Sequence, residues 1–288
     1  MIKMDHINWF PGHMKKATDS IKKSLKLVDL VAEIVDLRIP VSSRNPVIDT
    51  IIGQKPHLMI LNKKDLADPR ENDRWTDEFS KRGHEVLRVD SLHDNVTKEL
   101  EKAGRRALKE KFKKDREKNI ENDRIRMMIV GIPNVGKSTL INRVANKRIT
   151  RVGNKPGVTR QNQWIKTGGN FELLDTPGIL WPKFEDPKTG LHLAFIGSIK
   201  DEIMDKQDLA FELLKVLQKQ DPKILEERYG ITTKDKTTLQ IMEDIAVKRG
   251  AIMRGQEIDY ERIATLILDE FRKGVMGRIT LEKVEDYV

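Results

Sequence analysis

The sequence predicts an α/β protein with a mostly parallel sheet, followed by an all-helical segment. Three observations point there. Short apolar runs of strand length, LVAEIVD, HLMILN and EVLRVDS, alternate with stretches long enough for crossover helices. A further buried run, RMMIVG, enters a glycine-rich turn and then a helical stretch. Past WPKFEDPKTG, a linker by its proline, glycine and charge content, no strand pattern follows, and three segments carry helical spacing.

Taken in order, MKKATDSIKKSLKLVD reads as an amphipathic helix, with Met14, Ala17, Ile21, Leu25 and Val28 on one stripe and its lysines mainly elsewhere. The three strands follow. TKELEKAGRRALKEKFKKDREKNIEND is a highly charged helical connection. After RMMIVG a helix is expected from about Ser138 to Ala145, and NQWIKT with FELLDT forms a hairpin joined by GGN. DLAFELLKVLQKQ, TTLQIMEDIAVKRG and DYERIATLILDEFRKG are helices, the last two ending in basic residues before glycine. The division expected is a domain over 1–182, with a basic N-terminal helix, and a helical domain over 190–288.

Composition narrows the function classes. The chain has 288 residues, 34% charged and 38% hydrophobic, and no cysteine, so disulfide and thiolate-metal chemistry are excluded. No apolar run approaches the roughly 18–20 residues that span a bilayer, and the first residues lack the apolar core of a signal peptide. The expectation is a cytoplasmic protein without membrane contact. The net charge of +9 is uneven. Residues 190–288 hold 16 Lys/Arg against 19 Asp/Glu, so residues 1–189 carry +12. A basic face of this kind is either a solvated surface or a site for a polyanion.

GIPNVGKS, Gly131 to Ser138, matches the full phosphate-loop pattern between a predicted strand and helix, the context the motif requires. Backbone N–H groups from Asn134 through Val135, Gly136 and Thr139 would cradle phosphates at the helix N-terminus. Lys137 would reach the β- and γ-phosphates, and Ser138 would ligate Mg²⁺. In DTPG, Asp175 would hold Mg²⁺ and the Gly178 N–H would meet the γ-phosphate. Thr159, between the two motifs, is the candidate switch threonine for Mg²⁺, among several loop threonines. NKKD alone is no more than a polar turn. Beside these motifs it reads guanine: Asp65 accepts two N–H donors that adenine lacks, Asn62 braces the loop, and the Lys63 stem lies on the ring. Ser91, after the next strand, fits the loop that meets guanine O6.

The order, base loop before phosphate loop before DTPG, resembles the circularly permuted P-loop GTPases. WFPGHMKKA and VDLRIP narrow the likeness to their bacterial ribosome-biogenesis branch, over essentially the whole chain. The resemblance implies a P-loop GTPase fold with permuted motifs and a small all-α domain. It also implies hydrolysis of GTP with Mg²⁺, and association with the large ribosomal subunit, through rRNA and ribosomal proteins, by a monomer. Lys248, Arg249, Arg254, Arg272, Lys273 and Arg278 are then candidate RNA contacts, although the net acidity of their domain fits a solvated surface nearly as well. The residue after DTPG is Ile179, where many GTPases have a water-positioning glutamine. The resemblance offers His13 as the catalytic group instead, and Asn134 as a ligand of K⁺. Without it, His13 is a structural histidine and Asn134 a residue that fits a tight loop. The competing function is a GTP-dependent switch acting on a protein partner without RNA. In the ribosomal reading, deleting residues 190–288 is expected to leave nucleotide binding largely intact.

Overall fold

The computed structural model describes residues 11–120, 123–145, 162–178, 180, 184, 186–199 and 204–288, with 11–17 through their backbone only. Six strands form one sheet: β1 (Leu30–Asp36), β2 (His57–Asn62), β3 (Glu85–Arg88), β4 (Ile125–Val130), β5 (Gln163–Lys166) and β6 (Phe171–Asp175). Their order across the sheet is β3-β2-β1-β4-β6-β5. All neighbours are parallel except the β5–β6 hairpin, which forms as its sequence predicts. All seven residues of β1 are buried, because helices cover both faces of the sheet.

The helices covering the sheet are α1 (Pro11–Ser24), α2 (Pro46–Ile52), α3 (Pro69–Lys81), α4 (Val96–Ala107), α5 (Lys109–Glu117) and α6 (Lys137–Val144). Two begin where a capping side chain precedes a proline: Asn45 accepts from Val47 N–H, and Asp68 from Arg70 and Glu71 N–H. The charged connection is two helices that meet at Leu108, and Phe112 is the buried anchor of the second. On one face Ile21 and Val28 pack with Ile48 and Ile52 against Val31, Met128, Val130 and Leu174.

The helical part holds α7 (Pro187–Phe195), α8 (Lys206–Gln220), α9 (Lys223–Tyr229), α10 (Thr238–Arg249) and α11 (Tyr260–Arg272). Helices α8, α10 and α11 match the three helical segments of the sequence. Helix α7 starts inside the stretch read as linker, where Asp186 caps it and Pro187 opens it. Helix α9 is too short to carry a periodic pattern. Among the described residues the only strand-like pairing here is one bridge, Ile252 to Ile258. The apolar core of this part, with Leu193, Phe195, Leu213, Ile245, Ile267 and Phe271, runs without a break into Ile34, Ile39, Ile132 and Val135 under the sheet.

Arg38, just past β1, joins the two parts. It is 1% exposed. Its Nε and Nη2 grip both oxygens of Asp36 at 3.0 and 2.8 Å, and its Nη1 donates to Phe271 O and Arg272 O, both at 3.3 Å, at the end of α11. The guanidinium also lies 5.4 Å from the Phe271 ring centroid. Removing one partner of such a buried pair costs about 3–5 kcal/mol. Arg38→Met is therefore expected to lower the unfolding free energy by about that amount in urea titration. A loss below about 1 kcal/mol would mean that the join does not depend on this charge.

Candidate nucleotide-binding site

The site lies at the carboxyl ends of the strands, where open α/β sheets bind ligands. Register brings Asp36 beside Asn62, and Ile129 beside Asp175, so loops far apart in sequence leave the sheet side by side. From β4 the chain passes through Gly131–Ser138 into α6, which begins at Lys137, one residue before the predicted start. Gly136 has φ +98°, and a Cβ there would collide with the Asn62 carboxamide, so only glycine fits. A Cβ at Gly178 would stand 3.2 Å from Pro133 N, so DTPG lies directly against the phosphate loop.

Lys137 and Asp175 are both buried and form an ion pair. The Lys137 Nζ also donates to Thr176 O at 2.5 Å, and Thr176 Oγ1 donates to Ile129 O at 2.8 Å. A lone carboxylate at 0% exposure needs a cation beside it. Lys137 supplies that charge here. A Mg²⁺ ion near Ser138 would supply it once phosphates draw the lysine away, so the donor set fits a hard divalent cation.

On the base side, Asn62 ties three loops together. Its Nδ2 donates to Val135 O at 2.7 Å, while its Oδ1 accepts from Ser91 N and Ser91 Oγ at 3.2 and 2.7 Å. Lys63 Nζ donates to Asn134 O at 2.7 Å and meets Asp36 at 2.9 Å. Burial disfavours the charge on Asp36, but Arg38 and then Lys63 outweigh it and hold the carboxyl far below its usual range. Burial likewise pushes the Lys63 ammonium down, with Asp36 opposing. Lys63 and Asn134 both adopt left-handed backbone, φ +60° and +65°, a cost that the surrounding bonds sustain. Asp65 is half-buried, and burial together with the Asp90 charge raises its pKa. A cavity of about 700 Å³ opens beside these loops, between Ser91–Thr97 and Thr139, Asn142 and Arg143 of α6.

The structure thus brings together Asn62, Lys63, Ser91, Asn134, Val135, Gly136, Lys137, Asp175 and Gly178, with Ser138 and Thr139 on the first turn of α6. Asn134 turns its Nδ2 toward Gly197 O, in the turn after α7, and Ser198 Oγ donates to Pro133 O at 2.6 Å. The expected phosphate-loop and cation residue is thereby bound to the helical part, a contact no sequence pattern signals. Thr159 and Ile179 lie outside the described residues. His13 falls in the first turn of α1.

Four of the six basic residues expected to face RNA are bonded within the chain, three of them to its carbonyls and Lys273 to Asp269 at 3.4 Å. Arg272 donates to Ala194 O and Phe195 O, Arg278 to Lys64 O and Ala67 O, and Arg249 to Arg228 O. Lys248, Arg254, Lys273 and Arg278 are exposed. Sequence reasoning also missed Asp36, Arg38 and Glu282, whose roles depend on partners more than two hundred residues away in the case of Arg38 and Glu282.

Asn62→Ala would release the bonds to Val135 and Ser91 together. A labelled-GDP titration should show affinity lower by about tenfold or more, at roughly 1 kcal/mol per bond. Unchanged affinity would mean that the base and phosphate loops hold their shapes independently.

A family model described as 50S ribosome-binding GTPase matches residues 126–249. Ribosome biogenesis GTPase A of Bacillus cereus is 47% identical over 281 residues, covering 98% of this chain and 95% of that protein. Mitochondrial ribosome-associated GTPase 1 of Bos taurus is 32% identical, covering 97% and 89%. The GNP-bound crystal structure of YlqF from T. maritima superposes with a TM-score of 0.65 at 28% identity, over 94% of this chain and 99% of that one. With the motif order, the sheet order and this near full-length likeness in agreement, the chain belongs to the ribosome biogenesis GTPase A family of circularly permuted P-loop GTPases.

Proposed function

We propose that this GTPase binds the large ribosomal subunit during late assembly, in the cytoplasm and as a monomer, and leaves after hydrolysing GTP. The observation that carries this reading is that the likeness to proteins named for ribosome biogenesis spans the helical part as well as the nucleotide site. The +12 charge on residues 1–189 supports an RNA contact made by the sheet domain.

In this reading residues 1–182 form the GTP-binding domain and 190–288 the ribosome-binding domain. Asp65 reads the guanine edge, Lys63 covers the ring, and Asn62 and Ser91 fix the loops around it. Backbone N–H groups of Asn134–Thr139 hold the phosphates, with Lys137 released from Asp175 to reach them. Ser138, Thr159 and Asp175 would hold Mg²⁺, which neutralises phosphate charge when bound. The Gly178 N–H meets the γ-phosphate. Ile179 cannot hydrogen-bond water, so His13 is assigned the attacking water. Asn134 would take K⁺ by way of its carboxamide oxygen while its Nδ2 stays bonded to Gly197 O.

Two expected outcomes test this. Salt-dependent co-sedimentation should show tight association with large subunits in a non-hydrolysable GTP analogue and weaker association in GDP. No association in either state would sink the ribosomal reading. His13→Ala should spare GTP binding and cut subunit-stimulated turnover by roughly 10²–10⁴-fold. Unchanged turnover returns His13 to a structural role, and equal rates in K⁺ and Na⁺ remove Asn134 as a cation ligand.

A second reading, a switch acting on a protein without RNA contact, is favoured by one observation. The helical part is net acidic, and Arg249, Arg272 and Arg278 are occupied by carbonyls of the chain itself. Association that is insensitive to salt and to removal of RNA would support it.

A further inference from the structure

The loop that carries Asp65 is held from behind by the end of the chain. Arg278 Nη2 donates to Lys64 O at 2.9 Å, and its Nε to Ala67 O at 3.1 Å. Ile279 N donates to Leu66 O at 2.9 Å. Asp68 N donates to Thr280 Oγ1 at 3.0 Å, and that hydroxyl donates to Leu37 O at 3.3 Å. Three carbonyls and one N–H of the stretch 64–68 therefore find partners in three consecutive residues more than two hundred positions away.

Those residues are themselves anchored on both parts of the molecule. Leu281 N donates to Arg38 O at 2.8 Å, and Gln220 Nε2, at the end of α8, donates to Thr280 O at 2.6 Å. The Glu282 carboxylate, at 0% exposure, accepts from Val41 N at 2.6 Å, from Ser42 N and Oγ, and pairs with His192 Nδ1 of α7 at 2.8 Å. Its carbonyl accepts from Trp75 Nε1 at 2.8 Å.

We propose that the segment Arg278–Glu282 is a positioning element of the nucleotide site, setting the shape of the base loop and with it the affinity for guanine. The proposal rests on the reading that Asp65 recognises the base. Discrimination by a carboxylate needs both of its oxygens aligned on the guanine edge, and a loop whose carbonyls lack fixed partners spends binding energy on ordering itself. The segment's bonds fall directly on the base loop and reach the phosphate loop at one remove, through Asn62 and Lys63, so the effect is larger at the base. Linkage makes it reciprocal: a guanine nucleotide that orders the base loop also tightens the tail. These bonds argue against the expectation that removing residues 190–288 leaves nucleotide binding intact.

The test uses the full chain with Arg278→Ala, Arg278→Lys and Thr280→Val, titrated calorimetrically with GDP and with inorganic pyrophosphate. Arg278→Ala is expected to raise the GDP dissociation constant about tenfold, on the scale of one or two lost hydrogen bonds. Arg278→Lys should fall between, because an ammonium can hold one of the two carbonyls but lacks the fork that spans both. Pyrophosphate affinity should stay within about twofold. In the unaltered chain GDP, but not pyrophosphate, should slow amide exchange at Ile279 and Leu281. A general loss of packing would weaken both ligands alike, and that result, or an unchanged GDP affinity, overturns the proposal. If Arg278→Ala does not fold, Thr280→Val and the exchange measurement decide. Asp65→Asn is the separate control: if it leaves GDP affinity unchanged, the base-loop reading fails. If it weakens GDP while the tail variants do not, only the tail proposal fails.

Discussion

The buried pairing of Arg38 with Asp36 is the constraint on which the arrangement depends. A guanidinium at 1% exposure must have its charge and its donors satisfied locally. Asp36 takes two of the donors, and the carbonyls at the end of α11 take another. Asp36 also receives Lys63 from the base loop. One carboxylate thereby fixes the end of β1, the base loop and the seat of the helical part. Shifting α11 away would strand Arg38 donors in a dry interior, so the two parts are held together by desolvation cost as well as by apolar packing.

Permutation gives this join its significance. The chain leaves the sheet after β6, through the DTPG segment, and enters α7 instead of returning to another strand. The turn after α7 then comes back to the phosphate loop, through Gly197 to Asn134 and Ser198 to Pro133. Arg272 closes the circuit by holding Ala194 O and Phe195 O from α11. The helical part therefore touches the phosphate side through α7 and the base side through the tail. A change at either loop has a physical route to it through bonded groups and not only through the covalent linker.

The electrostatics of the phosphate side follow from one buried carboxylate. Asp175 sits at the end of β6 where no water can solvate it, and Lys137 neutralises it. In the proposed function, phosphates would draw the lysine away and Asp175 would be left to a divalent cation.

The local features were legible in the sequence because they are local. Strand runs, the phosphate-loop pattern, DTPG, NKKD and the long amphipathic helices depend on periodicity and on spacing within a few residues. The permuted order was visible because the loops sit at strand ends, whose sheet positions do not depend on chain order. Short elements were less legible: α9 spans fewer than three turns, and α7 hid behind a proline and charges that also mark a linker. The tertiary structure alone decided that Arg272 and Arg278 bond the chain's own carbonyls, that Asn134 points to Gly197, and that Arg278–Glu282 closes onto the base loop. The reason is physical. A backbone carbonyl carries no sequence signature, so an arginine bound to one looks in the sequence like any other basic residue, and only the folded chain shows which carbonyls would otherwise lack a partner.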